Sequence, residues 1–379
     1  MTIYFDHNAT TPIDPRVLMA MEPYLRGAYG NASSIHRLGR LSRAAVERAR
    51  EQVAALLGAH PEQVVFTSGG TEANNAALKG VAAATPGGTV LVSAIEHASV
   101  LETAAGLGPF GWQHELLPVS DDGRVKPETL AAALTPAVRL VSVMWANNET
   151  GVVHDLPQLA QSAKAAGALF HTDAVQAAGK IPVDFAASGA DLLSISGHKL
   201  YGPKGVGALL VGRNVVLTPL VHGSTQEKGR RGGTENVAGI VGLGTAAEIA
   251  AREMAERAVR LKALRERLEA QLAERLPEAV VFAQHTERLA NTVFLAIPGV
   301  DGETLLMNMD RRDIALSAGA ACAGAREPSH VLRAMGVEHE LARGAVRVSL
   351  GHDNNEADVD ALVTALVTER DALRASAWV

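Results

Sequence analysis

Residues 194–207 read SISGHKLYGPKGVG. An apolar run, 191–195, gives way to small polar residues and then to His198 and Lys199, after which Gly202, Pro203, Lys204, Gly205 and Gly207 follow in close order. Glycine permits close backbone approach and positive φ, and proline stiffens a turn. The pattern predicts a lysine on a rigid loop at the end of a strand. A lysine so placed becomes a nucleophile toward a carbonyl when burial or a neighbouring cation lowers its pKa. A solvated loop lysine can have the same local spelling, so the rest of the chain decides.

Working outward, short buried strands are expected at 63–67, 89–93, 139–144, 169–172, 191–195 and 206–211, with Ala-rich helical patterns between most of them. Strands alternating with helices predict an α/β fold with a mostly parallel sheet covered on both faces. Functional groups in such sheets gather at the carboxyl ends of the strands. Toward the N-terminus, residues 1–14 read as irregular, Asp14-Pro15 begins a helix, residues 30–36 (GNASSIH) form a turn-rich loop, and 41–57 has helical spacing until Gly58. Toward the C-terminus, a long helix runs from 242 to about 276, with Leu261, Leu264, Leu268 and Leu272 on one face and Pro277 closing it. Strands at 280–282, 291–296 and 345–349 and a helix from Glu356 then suggest a smaller α/β unit. The expected division is an N-terminal segment, 1–14, packing with the small domain, a large domain, 15–255, and a small domain, 256–379, that carries Cys322.

Composition narrows the function. The 379 residues are 47% hydrophobic, enough for a sizeable core, and 41 acidic against 35 basic residues leave a formal charge of −6. That balance gives no nucleic-acid footprint. No apolar run reaches the length of a membrane span, and the opening MTIYFDHNATTP predicts no secretory signal. The single cysteine, Cys322, excludes an intrachain disulfide framework and points to a reducing, cytoplasmic compartment. There are 13 histidines but no HExxH and no cysteine pair, so no metal centre is expected.

Four further stretches carry chemistry at strand ends. TSGGTEANN (67–75) puts glycines and Thr71 at a helix start, a ready anion site, although a plain capped helix has the same pattern. It departs from the nucleotide P-loop, which places lysine directly after the last glycine. FHTDAVQAAGK (170–180) ends a strand with Asp173 and sets Gln176 three residues on, on the same helical face; Asp173 suits a cationic ring nitrogen or an N-cap. SAIEH (93–97) delivers His97, and MWANNETG (144–151) delivers Asn147 and Asn148, where turn formation is the competing role. An anion cradle, a ring-stacking candidate, amides, an acid and a lysine together match what a phosphorylated pyridine aldehyde needs.

The chain resembles the cysteine desulfurases of the class V aminotransferase family, in the NifS and IscS branch. The matching stretches run almost end to end: YFDHNATTP, GNASSIH, FTSGGTEANN, EHASV, NNETGV, HTDAVQAAGKIPVD, SISGHKLYGPKGVGALLV, QEKGRRGGTENV, SAGAACAG, EPSHVL and RVSLG. The resemblance implies the fold type I of pyridoxal phosphate (PLP) enzymes, with a seven-stranded sheet, and a homodimer. It implies that Lys199 carries PLP, Asp173 pairs with the pyridine nitrogen, His97 stacks on the ring and exchanges protons with substrate, and Gln176 meets the phenolic oxygen. Asn148 lies near ring and substrate. Gly70, Thr71, Ser196 and His198 hold the phosphate, with Thr234 reaching the neighbouring subunit's phosphate, and Arg347 binds the substrate carboxylate.

Cys322 sits among small residues in SAGAACAGAREP, which bury a thiol poorly, and the resemblance makes it the persulfide nucleophile. The implied reaction turns L-cysteine into L-alanine and passes the sulfur to an acceptor protein, such as an iron–sulfur scaffold or a tRNA-thiolation enzyme. Two departures stand out. Ala32 replaces the family's usual proline, and the stretch from Cys322 to Glu327 is one residue short, with Ala323-Gly324 for Thr-Ser, which bears on the reach of the thiol. Selenocysteine lyase or another class V PLP lyase or aminotransferase is the near alternative. A non-catalytic sulfur-assembly scaffold is the alternative from another class, opposed by Lys199, Asp173, His97 and Cys322 occurring together.

Overall fold

The computed structural model describes residues 2–318 and 328–376. A two-residue strand, β1 (Ile3–Tyr4), leads to two helices, α1 (Pro15–Arg26) and α2 (Arg37–Leu56). Pro15 occupies the first turn of α1, and the Asp14 carboxylate accepts the Arg16 N–H to cap it. In α2, Val46, Ala49, Val53 and Leu56 recur at helical spacing and are buried.

The central sheet holds seven strands: β2 (Val64–Thr67), β3 (Gly88–Ser93), β4 (Trp112–Leu117), β5 (Val138–Ser142), β6 (Leu169–Asp173), β7 (Leu192–Ser196) and β8 (Gly207–Val211). Their order is β2-β8-β7-β6-β5-β3-β4, with β8 antiparallel to both neighbours and the remaining pairs parallel. Period-two alternation decides which residue faces which layer. Leu91, Val141, Leu193 and Leu210 join a core with α1, α2 and the long helix Val237–Arg275, while Val90, Leu140, Leu192 and Leu209 pack with α3 (Gly70–Ala84) and α4 (Ala98–Ala105). The edge strand β4 was absent from the strands read in the sequence. Only its end residues Trp112 and Leu117 are buried, so it lacks the apolar run of a central strand.

A second sheet, antiparallel and ordered β12-β10-β9, consists of β9 (Val280–Val281), β10 (Thr292–Ala296) and β12 (Ala345–Ser349). Between β10 and β12, β11 (Ile314–Ala315) pairs in parallel with β1, giving the N-terminal segment a short strand where irregular chain was expected. Leu264, Leu268 and Leu272 of the long helix lie in the core of this second sheet together with Phe5 and the C-terminal helix Glu356–Ser376. The long helix thus serves two cores, with small residues at its start: a Cβ on Gly244 would lie 2.6 Å from Ala49. We propose that the chain divides near residue 255, into 15–255 and 256–379, with 1–14 joined to the second unit.

Candidate active site

Because six of the seven sheet strands point the same way, the loops after β2, β3, β5, β6 and β7 converge at one edge, facing the second sheet. There a cleft of about 1140 Å³ is lined by Gly70, Thr71, His97, Asn148, Asp173, Gln176, Ser196, His198, Lys199 and Arg347. Ten residues from positions 70 to 347 thus meet in one place.

The anion cradle is built by the turn from β2 into α3. Gly69 has φ 155° and ψ −178°, a conformation open essentially to glycine alone, and no side chain caps the helix it precedes. The α3 N-terminus, its partial positive charge and the Thr71 hydroxyl therefore meet the cleft together with Ser196 and His198. A Cβ on Gly70 would lie 2.8 Å from Val175, so this floor is closely packed. His198 Nδ1 lies 3.1 Å from Thr10 Oγ1, and burial, with the Lys199 and Lys204 cations, lowers its pKa to about 4.

Asp173 closes β6 as a carboxylate with two donors. Its Oδ1 accepts the Val175 N–H at 2.9 Å and its Oδ2 accepts from Asn74 Nδ2 at 2.7 Å. The chain beyond it is a succession of turns, not the helix that placed Asp173 and Gln176 on one face in the sequence reading; the two meet the cleft through turn geometry. His97 is the N-cap of α4, its Nδ1 accepting the Ser99 N–H at 3.1 Å. Burial lowers its pKa, opposed by the Asp173 charge and reinforced by Lys199 and His330.

The N-terminal segment clamps the lysine loop. Lys199 Nζ donates to the backbone carbonyls of Asn8 and Ala9, the latter at 2.7 Å, while the Thr11 N–H and hydroxyl both donate to the His198 carbonyl. Both Lys199 acceptors are neutral. Burial first, then the Arg347 cation, lowers its pKa to about 8, against the opposing pull of Asp173 and Asp6. A second lysine, Lys180, donates to Asn8 Oδ1 at 2.8 Å and Gln176 Oε1 at 2.6 Å, and burial pushes its pKa well below the ordinary value. It thereby fixes the Gln176 amide with Nε2 as donor, here to the Asn8 carbonyl at 2.9 Å.

Arg347 reaches the cleft from β12, donating from Nη2 to Asp6 Oδ1 at 2.6 Å and from Nη1 to the Asn148 carbonyl at 2.9 Å. Any anion that binds Arg347 would compete with Asp6, which sequence reading passed over. Asn147 takes the turn-forming role: its Oδ1 accepts the Glu149 and Thr150 N–H groups, and it is fully buried. Thr234 is exposed and does not line this chain's cleft. Cys322 lies outside the described residues. Asn8, Asp6, Asn74 and Lys180 were not singled out, although DHNATT, TEANN and QAAGK contain them; their roles arise from contacts between distant segments. Glu96 was likewise missed. It is fully buried behind His97, with Oε1 accepting the Met144 N–H at 2.5 Å, and burial together with the Asp173 charge raises its pKa well above the ordinary value.

These donors fit a phosphorylated pyridine aldehyde: a glycine-lined helix N-terminus for phosphate, a carboxylate for a ring nitrogen, an imidazole for its face and an amine of lowered pKa for its aldehyde. Fold and cleft together define an α/β enzyme built around a strand-end lysine. The family model described as aminotransferase class-V matches residues 3–362, and the chain belongs to that family. It is 48% identical over 377 residues to a cysteine desulfurase of Cereibacter sphaeroides, covering 98% of this chain and 97% of that one. A solved structure of a NifS-like protein superposes with a TM-score of 0.92 at 38% identity, covering 98% of this chain and 100% of the other. A structure of SspA in complex with cysteine gives a TM-score of 0.82 at 34% identity, covering 92% and 99%.

Proposed function

We propose that the chain is a PLP-dependent cysteine desulfurase that converts L-cysteine to L-alanine and carries the sulfur as a persulfide on Cys322. The observation that carries this reading is the convergence of Lys199, Asp173, His97 and Arg347 on one cleft beside an uncapped helix N-terminus, in a class V aminotransferase chain. Bound there, PLP supplies an electron sink that acidifies the substrate Cα–H. Gly70, Thr71, Ser196 and His198 hold its phosphate, Asp173 keeps the ring nitrogen protonated, His97 covers the ring, and Gln176 donates to the phenolic oxygen. Lys199, through its neutral amine, would hold the cofactor covalently, and its Nζ would be the base that takes the substrate Cα proton. Arg347 and Asn148 orient the substrate. The Cys322 thiolate attacks the substrate sulfur, the carbon–sulfur bond breaks, and L-cysteine plus thiol become L-alanine plus persulfide.

An acceptor protein then removes the outer sulfur, in iron–sulfur cluster assembly or tRNA thiolation. No helix among the described residues is long and apolar enough to cross a membrane. A reducing cytoplasm suits a lone cysteine that works as a thiolate. We also propose a homodimer in which Thr234 of the partner subunit completes each phosphate site. The exposure of Thr234 outside its own chain's cleft supports this.

The test is a single-turnover assay with L-cysteine and no acceptor. Wild-type protein should form about one alanine per chain and gain one sulfur on the peptide containing Cys322. Cys322→Ala should still take up PLP yet form almost no alanine, while Lys199→Ala should lose covalent PLP uptake. Near-normal sulfur release by Cys322→Ala would falsify the nucleophile assignment.

A further inference from the structure

Asn74 and Ser99 lie behind the residues of the proposed reaction and join two of them. Asn74 Nδ2 donates to Asp173 Oδ2 at 2.7 Å and to Ser99 Oγ at 2.8 Å, and Ser99 Oγ lies 2.8 Å from His97 Nδ1. The orientation of the Asn74 amide follows from chemistry, since a carboxylate accepts only and must face the NH₂ end. Both N–H groups are then committed, and Oδ1 is buried with no hydrogen-bond partner among the described residues. The amide accepts that loss to donate twice.

Proton positions along the chain follow. The Ser99 hydroxyl oxygen receives the Asn74 N–H, which directs its own proton toward His97 Nδ1. The Ser99 backbone N–H already donates to the same nitrogen at 3.1 Å. With Nδ1 an acceptor from both, a neutral His97 carries its proton on Nε2. At the other end, the Asn74 N–H occupies Oδ2 of Asp173 while that of Val175 occupies Oδ1, so both carboxyl oxygens are held and the group's orientation is fixed. The three elements involved, α3, α4 and the end of β6, are parts of the rigid sheet edge, so the linkage is prebuilt.

We propose that Asn74 is a positioning residue that, through its two N–H groups, fixes the orientation of the Asp173 carboxyl group and, by way of Ser99, holds His97 as the Nε2–H tautomer. This rests on the roles proposed above for Asp173 and His97. A merely structural asparagine packing α3 on α4 would affect folding without setting either state.

The experiment uses full-length protein with ¹⁵N-labelled histidine, the His97 resonances being assigned by their loss in His97→Gln. In parallel, PLP is titrated into each apoprotein. Wild-type His97 should show an unprotonated Nδ1 and a protonated Nε2. Asn74→Leu and Ser99→Ala should both move the two nitrogens part of the way toward tautomer-averaged values, the backbone N–H of residue 99 still donating to Nδ1, and Ser99→Thr should restore them. Only Asn74→Leu should also weaken PLP binding, by about tenfold or more, because it alone removes a donor from Asp173. Unchanged His97 nitrogens in Ser99→Ala, or unchanged PLP affinity in Asn74→Leu, overturns the proposal. So does an equal loss of affinity in both variants, which marks a packing defect. Should wild-type protein take up no PLP, the parent reading fails, while the tautomer measurement still decides the role of Asn74.

Discussion

The environment of Lys199 favours its neutral amine. Two neutral carbonyls hold Nζ, burial strips water from the ammonium, and the Arg347 cation opposes it, leaving a pKa of about 8. At pH 7 about one chain in ten then carries the reactive form, against roughly three in ten thousand for an ordinary lysine. The rate at which apoprotein captures PLP should therefore rise with pH and level off above about 8. Arg347→Met removes a cation that lowers the pKa and should move the midpoint upward; Asp6→Asn removes an anion that raises it and should move the midpoint downward. Stopped-flow absorbance across pH 6–10 checks both, and a midpoint near 10 in wild-type protein sinks the argument. At this scale the sequence is a partial guide. Asp173 ends a strand and Lys199 and His97 closely follow one, all in recognisable spellings, but Asn74 meets Asp173 across 99 positions. Lys180 and Asn8 act likewise by hydrogen bonds that no local pattern encodes.

The loop between β8 and the long helix is held in place by charge. Glu227 and Lys228 both have left-handed backbones, φ 47° and 58°, a strain that surrounding contacts must offset. The Arg50 guanidinium meets Glu227 through two 2.8 Å bonds, the Phe66 N–H donates to the same carboxylate at 2.9 Å, and Arg231 binds Glu72 on α3. Both members of the Arg50–Glu227 pair are buried. Breaking such a pair leaves a buried charge and costs about 3–5 kcal/mol. Arg50→Met should accordingly lower the urea midpoint markedly. Arg50→Met with Glu227→Leu should recover part of the loss, the Phe66 N–H remaining unpaired at about 1–3 kcal/mol. A double variant no more stable than the single would show that the pair's charge balance is not what matters. Elements with a strong period, the central strands and the long helix, were legible in sequence. The polar edge strand β4 and the turns after Asp173 were not, because edge exposure and tertiary hydrogen bonds replace the apolar pattern there.

Across the whole molecule, six of the fourteen large apolar side chains exposed among the described residues fall in consecutive segments: Leu18, Met19 and Leu25 on α1, Tyr29 and Ile35 in the loop after it, and Leu41 on α2. Ile35 is 90% exposed. Surfaces of this kind are normally covered by a partner, which agrees with the proposed homodimer but does not say which chain's Thr234 serves which cleft. Mixing two inactive variants answers that. Lys199→Ala lacks the attachment point. Thr234→Ala combined with Gly233→Val lacks the hydroxyl and blocks the loop, because Gly233 has φ 104°, which a valine adopts only under strain. Loss of the single hydroxyl-to-phosphate bond should weaken PLP binding about ten- to a hundredfold, roughly 1.5–3 kcal/mol. If Thr234 serves the opposite cleft, a heterodimer has one cleft with neither feature and one with both, so it should regain up to half of the wild-type activity. If Thr234 serves its own chain, each cleft of the heterodimer keeps one defect and the mixture stays inactive. Subunit exchange confirmed by native mass spectrometry, followed by alanine production, separates the two arrangements, and an inactive mixture of confirmed heterodimers assigns Thr234 to its own subunit.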